Sequence, residues 1–228
     1  MKRMWTRRLA RTASVALAAA ALFTFVTPGL TADRDTPETW EGLKLVKRPG
    51  LDTVYVREGV SLAQYRRVML DPVDVSFDKN WNPRGRLGGT QGTADPTAIR
   101  QGLAKLARDV FRRELGKKDG YALVEEPAAD VLRVRAQIVN LFINAPETNS
   151  PEITHTYVVN AGEMTLVAEL YDSQTNALLA RVVDRERGLD RGLNELQIAN
   201  RVTNTAEADR ILSGWAHRLR AALDKARS

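Results

Sequence analysis

Residues 161–188, AGEMTLVAELYDSQTNALLARVVDRERG, constrain the fold more than any other stretch of this chain. Met164, Leu166, Ala168 and Leu170 alternate with Glu163, Thr165, Val167, Glu169 and Tyr171, the period of a half-buried strand. Residues 172–176, DSQTN, are turn formers, and Asn176 tolerates a positive φ. The return strand places Leu178, Ala180 and Val182 on one face and Leu179, Arg181 and Val183 on the other. The pattern predicts a β-hairpin whose apolar stripe must be covered by something else in the chain.

The remaining elements supply that cover. Residues 53–58 read as a short strand, and residues 65–77 as a longer one interrupted by Pro72, which marks an edge or a bulge because it cannot donate to a ladder. A glycine-rich loop spans residues 78–94. Asp95 is a good N-cap and Pro96 suits the first helical position. Ile99, Leu103, Leu106, Ala107, Val110 and Phe111 then keep helical spacing up to Gly116, placed as a C′ glycine. Residues 121–126 form a short strand and residues 131–144 a stronger one, with Leu132, Val134, Ala136 and Ile138 opposite Arg133, Arg135 and Gln137. Another loop covers residues 145–156. A last helix starts near Asn204, which with Glu207 has the form of a capping box. Its stripe is Ala208, Ile211, Trp215, Leu219, Ala222 and Leu223, and residues 189–203 fit no single pattern.

This order predicts an α+β, two-layer sandwich: a mostly antiparallel or mixed sheet with the two main helices packed on one face. The other face is left to water. Arg133 and Arg135, Glu163 and Glu169, and Arg181 fall there on three neighbouring strands, where opposite charges support each other by a few tenths of a kcal/mol per pair. Together with Trp81 of the glycine-rich loop, an aromatic able to anchor a partner, these residues are the expected interaction surface.

The N-terminus carries an address. Lys2, Arg3, Arg7, Arg8 and Arg11 precede an apolar run over residues 15–26, followed by TPG and the small Ala32. That is the build of a Sec-type signal peptide over residues 1–32, with cleavage after Ala32. Residues 33–43 read as a flexible lead-in and residues 44–228 as a single domain. The whole chain has a formal charge of +6, but residues 33–228 hold 29 basic and 28 acidic side chains. Nucleic-acid capture is therefore not expected from the total charge. The expected location is periplasmic or secreted, with no integral membrane span after residue 32 and an envelope protein or cell-wall component as partner.

The catalytic and metal motifs in the sequence are all incomplete. Asp78, Asn80 and Asn82 open like a calcium loop, but Pro83 and Gly89 stand where the turning glycine and the bidentate glutamate belong. The glycines before Asp95 lack the Gly-Lys-Ser/Thr of a phosphate loop. His155 and His217, without any cysteine, cannot complete the usual zinc site unless carboxylates join them. Glu163 and Glu169 are six residues apart on one strand, about 20 Å, too far to act as a hydrolytic pair. Asp71 and Asp74 point to opposite faces of a regular strand, and Glu163 opposite Asp184 is conceivable. The expectation is a non-enzymatic binding or envelope-interaction module with no cofactor and no metal. The alternative is an envelope hydrolase using acid/base carboxylates.

Residues 55–77 and 161–185, with the Asp71-Pro72-Val73 step, the Glu163 strand and the 172–176 turn, resemble a bacterial family of envelope lipoproteins catalogued as domain of unknown function 3313. The resemblance covers residues 44–225. It implies export and a shared α/β fold and brings no catalytic residues. Family members described as lipoproteins carry a cysteine at the signal cleavage point. This chain has none, so no lipid anchor is expected.

Overall fold

The computed structural model describes residues 36–82, 95–143, 156–158, 162–188, 197–199 and 201–228. The expected hairpin is its centre: β9 and β10 of the full order β1 (Thr39–Trp40), β2 (Leu43–Leu45), β3 (Thr53–Val56), β4 (Arg67–Leu70), β5 (Asp74–Phe77), α1 (Pro96–Gly116), β6 (Ala122–Leu123), β7 (Val131–Ile143), β8 (Thr156–Val158), β9 (Gly162–Asp172), β10 (Leu178–Arg187), β11 (Gln197–Ala199) and α2 (Arg201–Arg227). β9 and β10 pair antiparallel from Glu163↔Arg187 to Leu170↔Ala180.

Asn176 closes their turn at φ 55°, and Asp172 organises it. The Asp172 carboxylate accepts from the Thr175 amide at 2.8 Å, the Thr175 hydroxyl at 2.9 Å, the Gln174 amide at 3.1 Å and the Tyr65 hydroxyl at 2.9 Å. These donors, the Thr175 amide foremost, hold the Asp172 carboxyl below its ordinary value. A depressed carboxyl contributes its stability above the unfolded pKa and loses it as pH falls through the folded one. Below about pH 4, Asp172→Asn is therefore expected to flatten the acid limb of a stability–pH curve. An unchanged limb counts against this role.

The strands form a sheet in the order β1-β2-β3-β10-β9-β7-β4-β6, with β5 beside β7 beyond the end of β4. β4 and β5 both run parallel to β7, and Pro72 stands in the gap between them. Parallel pairing requires a long crossover, which α1 supplies between β5 and β6. The other neighbours on the path are antiparallel except β4 with β6, so the sheet is mixed. β8 and β11 form a separate two-stranded ribbon.

α1 and α2 cover one face. Leu103, Ala107, Val110 and Phe111 of α1 and Ile211, Leu212, Trp215 and Ala216 of α2 pack with Ala136, Ile138, Met164, Leu166 and Ala168 of the central strands. Met164, Leu166 and Leu170 are 3–5% exposed, so the hairpin's apolar stripe is the floor of the core. The architecture is the α+β sandwich that the patterns predict.

Several local expectations change. Residues 36–43 are not a loose lead-in. β1 and β2 extend the sheet because the Leu45 amide donates to the Glu38 carbonyl at 2.9 Å and the Tyr55 hydroxyl to the Pro37 carbonyl at 2.9 Å. A register shift between Leu178 and Ala180 turns Leu178 to the helix-free face, against Leu43 and Tyr55, and leaves both Leu179 and Ala180 in the core. α1 begins as expected, with Asp95 accepting from the Thr97 amide at 2.8 Å. It ends differently. Gly116 is its last helical residue, and the left-handed position is Lys118 at φ 46°. Gly120 is the glycine this return needs, since a Cβ there would lie 2.2 Å from the Leu115 carbonyl. α2 starts at Arg201, so Asn204 is inside the helix and not its cap, and Ala222 is exposed. His155 and most of the glycine-rich loop lie outside the described residues.

Candidate functional site

The helix-free face brings some of the expected residues together. Arg133 donates to the Asp71 carboxylate at 2.9 and 3.0 Å, and Arg135 lies 3.5 Å from the same group. Arg133 also donates to the Asn176 side chain at 2.9 Å, joining the hairpin turn to this cluster. Arg181 donates to Glu169, whose other oxygen accepts from the Tyr171 hydroxyl at 2.7 Å. The Arg135 guanidinium stands 5.6 Å from the Tyr171 ring centre, and that of Arg181 lies 4.0 Å from Trp40. Burial, and then the hydrogen bond to Glu169, push the Tyr171 hydroxyl up. The Asp71 carboxylate likewise raises the pKa of Arg133.

This face is less wet than the alternation suggests. The side chains of Glu169 and Arg181 are only 14% and 22% exposed, and Thr165 and Val167 are buried. Trp40 over Arg181, and Leu43 with Tyr55 beside Leu178, account for part of the cover. Here the charges hold strands in register: the Asp71-Pro72 step ties β4 to β7, and Glu169–Arg181 ties β9 to β10.

Glu163 and Trp81 are not part of this cluster. Glu163 sits at the other end of β9, held by Arg185 at 2.5 Å and Arg187 at 3.0 Å. Trp81 stacks on Phe77 with ring centres 3.9 Å apart, and its indole donates to the Ile143 carbonyl at 3.2 Å. It is a half-buried support of its own domain and not a free anchor. Asp78 accepts from the Asn80 amide at 2.8 Å, which is an Asx turn.

The sheet–helix junction contains a cleft that the periodic patterns do not reveal. A cavity of about 510 Å³ opens between the N-terminal halves of the two helices and the ends of β7 and β9. Ile99 and Leu106 of α1, Ile143 of β7, Met164 of β9 and Ile211 of α2 are among its walls. Gly162 shapes one wall: at φ 146°, a Cβ would stand 2.1 Å from the Phe142 carbonyl oxygen.

Asp95, Glu163 and Glu207 also border the cleft. Each already has a partner: the Thr97 amide for Asp95, Arg185 and Arg187 for Glu163, and Arg210 at 3.1 Å for Glu207. Among the described residues no cluster of His, Asp and Glu is placed to hold a metal ion, and no helix is long and apolar enough to cross a membrane.

A second missed feature is Asp184, 3% exposed on the helix-covered side of β10. Its carboxylate accepts from the Trp215 indole at 2.7 Å, Arg218 at 2.9 Å and the Asp52 amide at 2.9 Å. It pairs across the ladder with Leu166, so it does not face Glu163. The available signal was its phase: Asp184 follows Ala180 and Val182 on the apolar side of the strand, while Trp215 and Arg218 share one helix face.

The fold and site define an α+β sandwich with a charged, strand-locking face and an apolar cleft under its helices. The chain belongs to the family described as protein of unknown function (DUF3313), which matches residues 38–219. No curated protein matches. Among solved structures, the chain is similar to the PelC dodecamer from Paraburkholderia phytofirmans, at 12% identity and a TM-score of 0.37 over 74% of this chain and 96% of that one. It is also similar to protein XCC0632 from Xanthomonas campestris, at 11% identity and a TM-score of 0.41 over 71% and 88%. The hypothetical protein CT253 from Chlamydia trachomatis matches at 11% identity and a TM-score of 0.36 over 69% and 98%.

Proposed function

We propose that this protein is an exported, periplasmic module of the bacterial cell envelope that works by binding, not by turnover. The observation that carries this reading is the cleft. Its volume falls in the range of small-molecule sites, about 300–1,000 Å³, and its walls are mainly apolar. The three carboxylates at its border are engaged by the protein's own donors. A ligand that enters is therefore recognised by burial of apolar surface, and the fitting class is a small molecule with an alkyl chain or a comparable apolar body.

Hydrolysis by paired carboxylates would call for one acid kept protonated beside one ionised base. Glu163 and Glu207 are instead each committed to guanidinium partners, Arg185 and Arg187 for the first and Arg210 for the second. Export rests on the basic and apolar build of residues 1–32, and the missing cysteine argues against a thioether-linked lipid.

An apolar naphthylamine dye tests the cleft. The protein is expected to raise its fluorescence and shift it to the blue, and a long-chain fatty acid is expected to compete it off. Ala98→Trp and Ala208→Trp, which fill the cleft from α1 and α2, are expected to remove about nine-tenths or more of the signal without changing the circular dichroism. Dye binding that ignores both substitutions would sink the proposal, as would turnover of a cell-wall substrate that disappears in Glu163→Gln.

A further inference from the structure

The near-neutral total over residues 33–228 conceals a separation of charge between the two helices and the rest of the chain. α1 and α2 together hold eleven lysine and arginine residues and five aspartate and glutamate residues. The rest of residues 33–228 holds 18 and 23. The excess positive charge therefore belongs to the helical layer.

α1 carries half of that excess and presents it outward. Its core side is Leu103, Ala107, Val110, Phe111 and Leu115. Arg100 and Arg112 are exposed, and the side chains of Lys105, Arg108 and Arg113 are 79%, 40% and 48% exposed; Lys117, just past the end of the helix, is 56% exposed. Acids balance part of this: Asp109 pairs with Lys105 at 2.7 Å, Glu114 with Lys117 at 2.6 Å and Arg113 at 3.3 Å, and Glu125 lies 3.5 Å from Arg108. The five basic and two acidic residues of α1 still leave the helix a net excess of three positive charges. On the opposite face the arginines of the candidate cluster are held against Asp71 and Glu169, which leaves no comparable excess there.

We infer that the outer face of α1 is an electrostatic docking surface for an anionic phospholipid bilayer. A helix lying flat over a sheet offers a row of guanidinium and ammonium groups to a plane of phosphates, and each such group adds to the attraction. The same face lacks the exposed aromatic rings on which single-stranded bases stack, since Phe111, the one aromatic of α1, is buried. The attraction is peripheral and salt-sensitive, because exposed charges are screened beyond about 10 Å at 0.1 M salt. This inference does not depend on what the cleft binds.

Vesicle co-sedimentation of the purified protein tests it. Vesicles of phosphatidylcholine with about a third phosphatidylglycerol are expected to retain the protein at low salt, and phosphatidylcholine alone is not. The triple replacement Lys105→Glu, Arg108→Glu and Arg112→Glu is expected to weaken retention about a hundredfold. Lys44→Glu, at the sheet edge, is expected to leave it unchanged. Circular dichroism establishes that each variant is folded. Equal retention on both vesicle types, retention that survives the triple replacement, or capture by duplex DNA in place of vesicles would each overturn the inference.

Discussion

Asp184→Ala is expected to destabilise the protein by about 3–5 kcal/mol, read as a lower urea midpoint with an unchanged slope. The side chain is 4% exposed and joins three parts of the fold: the Trp215 indole and the Arg218 guanidinium from α2, and the Asp52 amide before β3. Removing it leaves a buried indole N–H and a half-buried guanidinium without their acceptor, although Arg218 keeps Glu186 at 2.9 Å. Asp184→Asn restores an acceptor but not the charge and is expected to recover part of the loss. Trp215→Phe removes the indole donor. A double-mutant cycle with Asp184→Ala should therefore show coupling of about 0.5–3 kcal/mol. A loss below about 1 kcal/mol for Asp184→Ala would mean that Arg218 and Trp215 find water or other acceptors without cost.

Gly162→Ala is expected to cost about 3 kcal/mol or more, through backbone strain and overpacking together. Gly162 opens β9 at φ 146°, and the added methyl would meet the Phe142 carbonyl oxygen at 2.1 Å and the Ile143 Cα at 3.1 Å. Both contacts are backbone on the neighbouring strand, so no side chain can swing away to relieve them. The strand would have to part from β7 at its Ile143↔Gly162 end. Amide exchange should then quicken in residues 162–164 and 141–143 before the rest of the sheet. Because Phe142, Ile143, Gly162 and Met164 also line the cleft, dye affinity should fall with it. Stability and exchange indistinguishable from the parent protein would show that the strand shifts freely there.

The charged face shows how far alternation reaches. It separates Arg133, Arg135, Glu163, Glu169 and Arg181 from the core residues correctly, because side chains along a strand alternate whatever lies beyond it. Which acid meets which arginine is a question of register. Pro72 breaks the strand so that Asp71 meets Arg133 and Arg135, and the ladder sets Arg187, not Asp184, opposite Glu163. The register shift at Leu178 has the same origin, since one irregular residue moves a side chain to the other face and the alternating pattern carries no mark of it.

Local periodicity and capping are enough to specify the hairpin, the helix behind Asp95, the α+β class and the placement of the oily stripes. Contacts between distant parts of the chain are needed to bring residues 36–45 into the sheet, to bury Asp184 beneath Trp215 and to leave a cleft between the helices and the strand ends. The reason is distance along the chain. Asp52 and Asp184 meet across 132 residues and Asp184 and Arg218 across 34, and a cavity is the space left when separate elements fail to close on one another. No local rule contains either quantity.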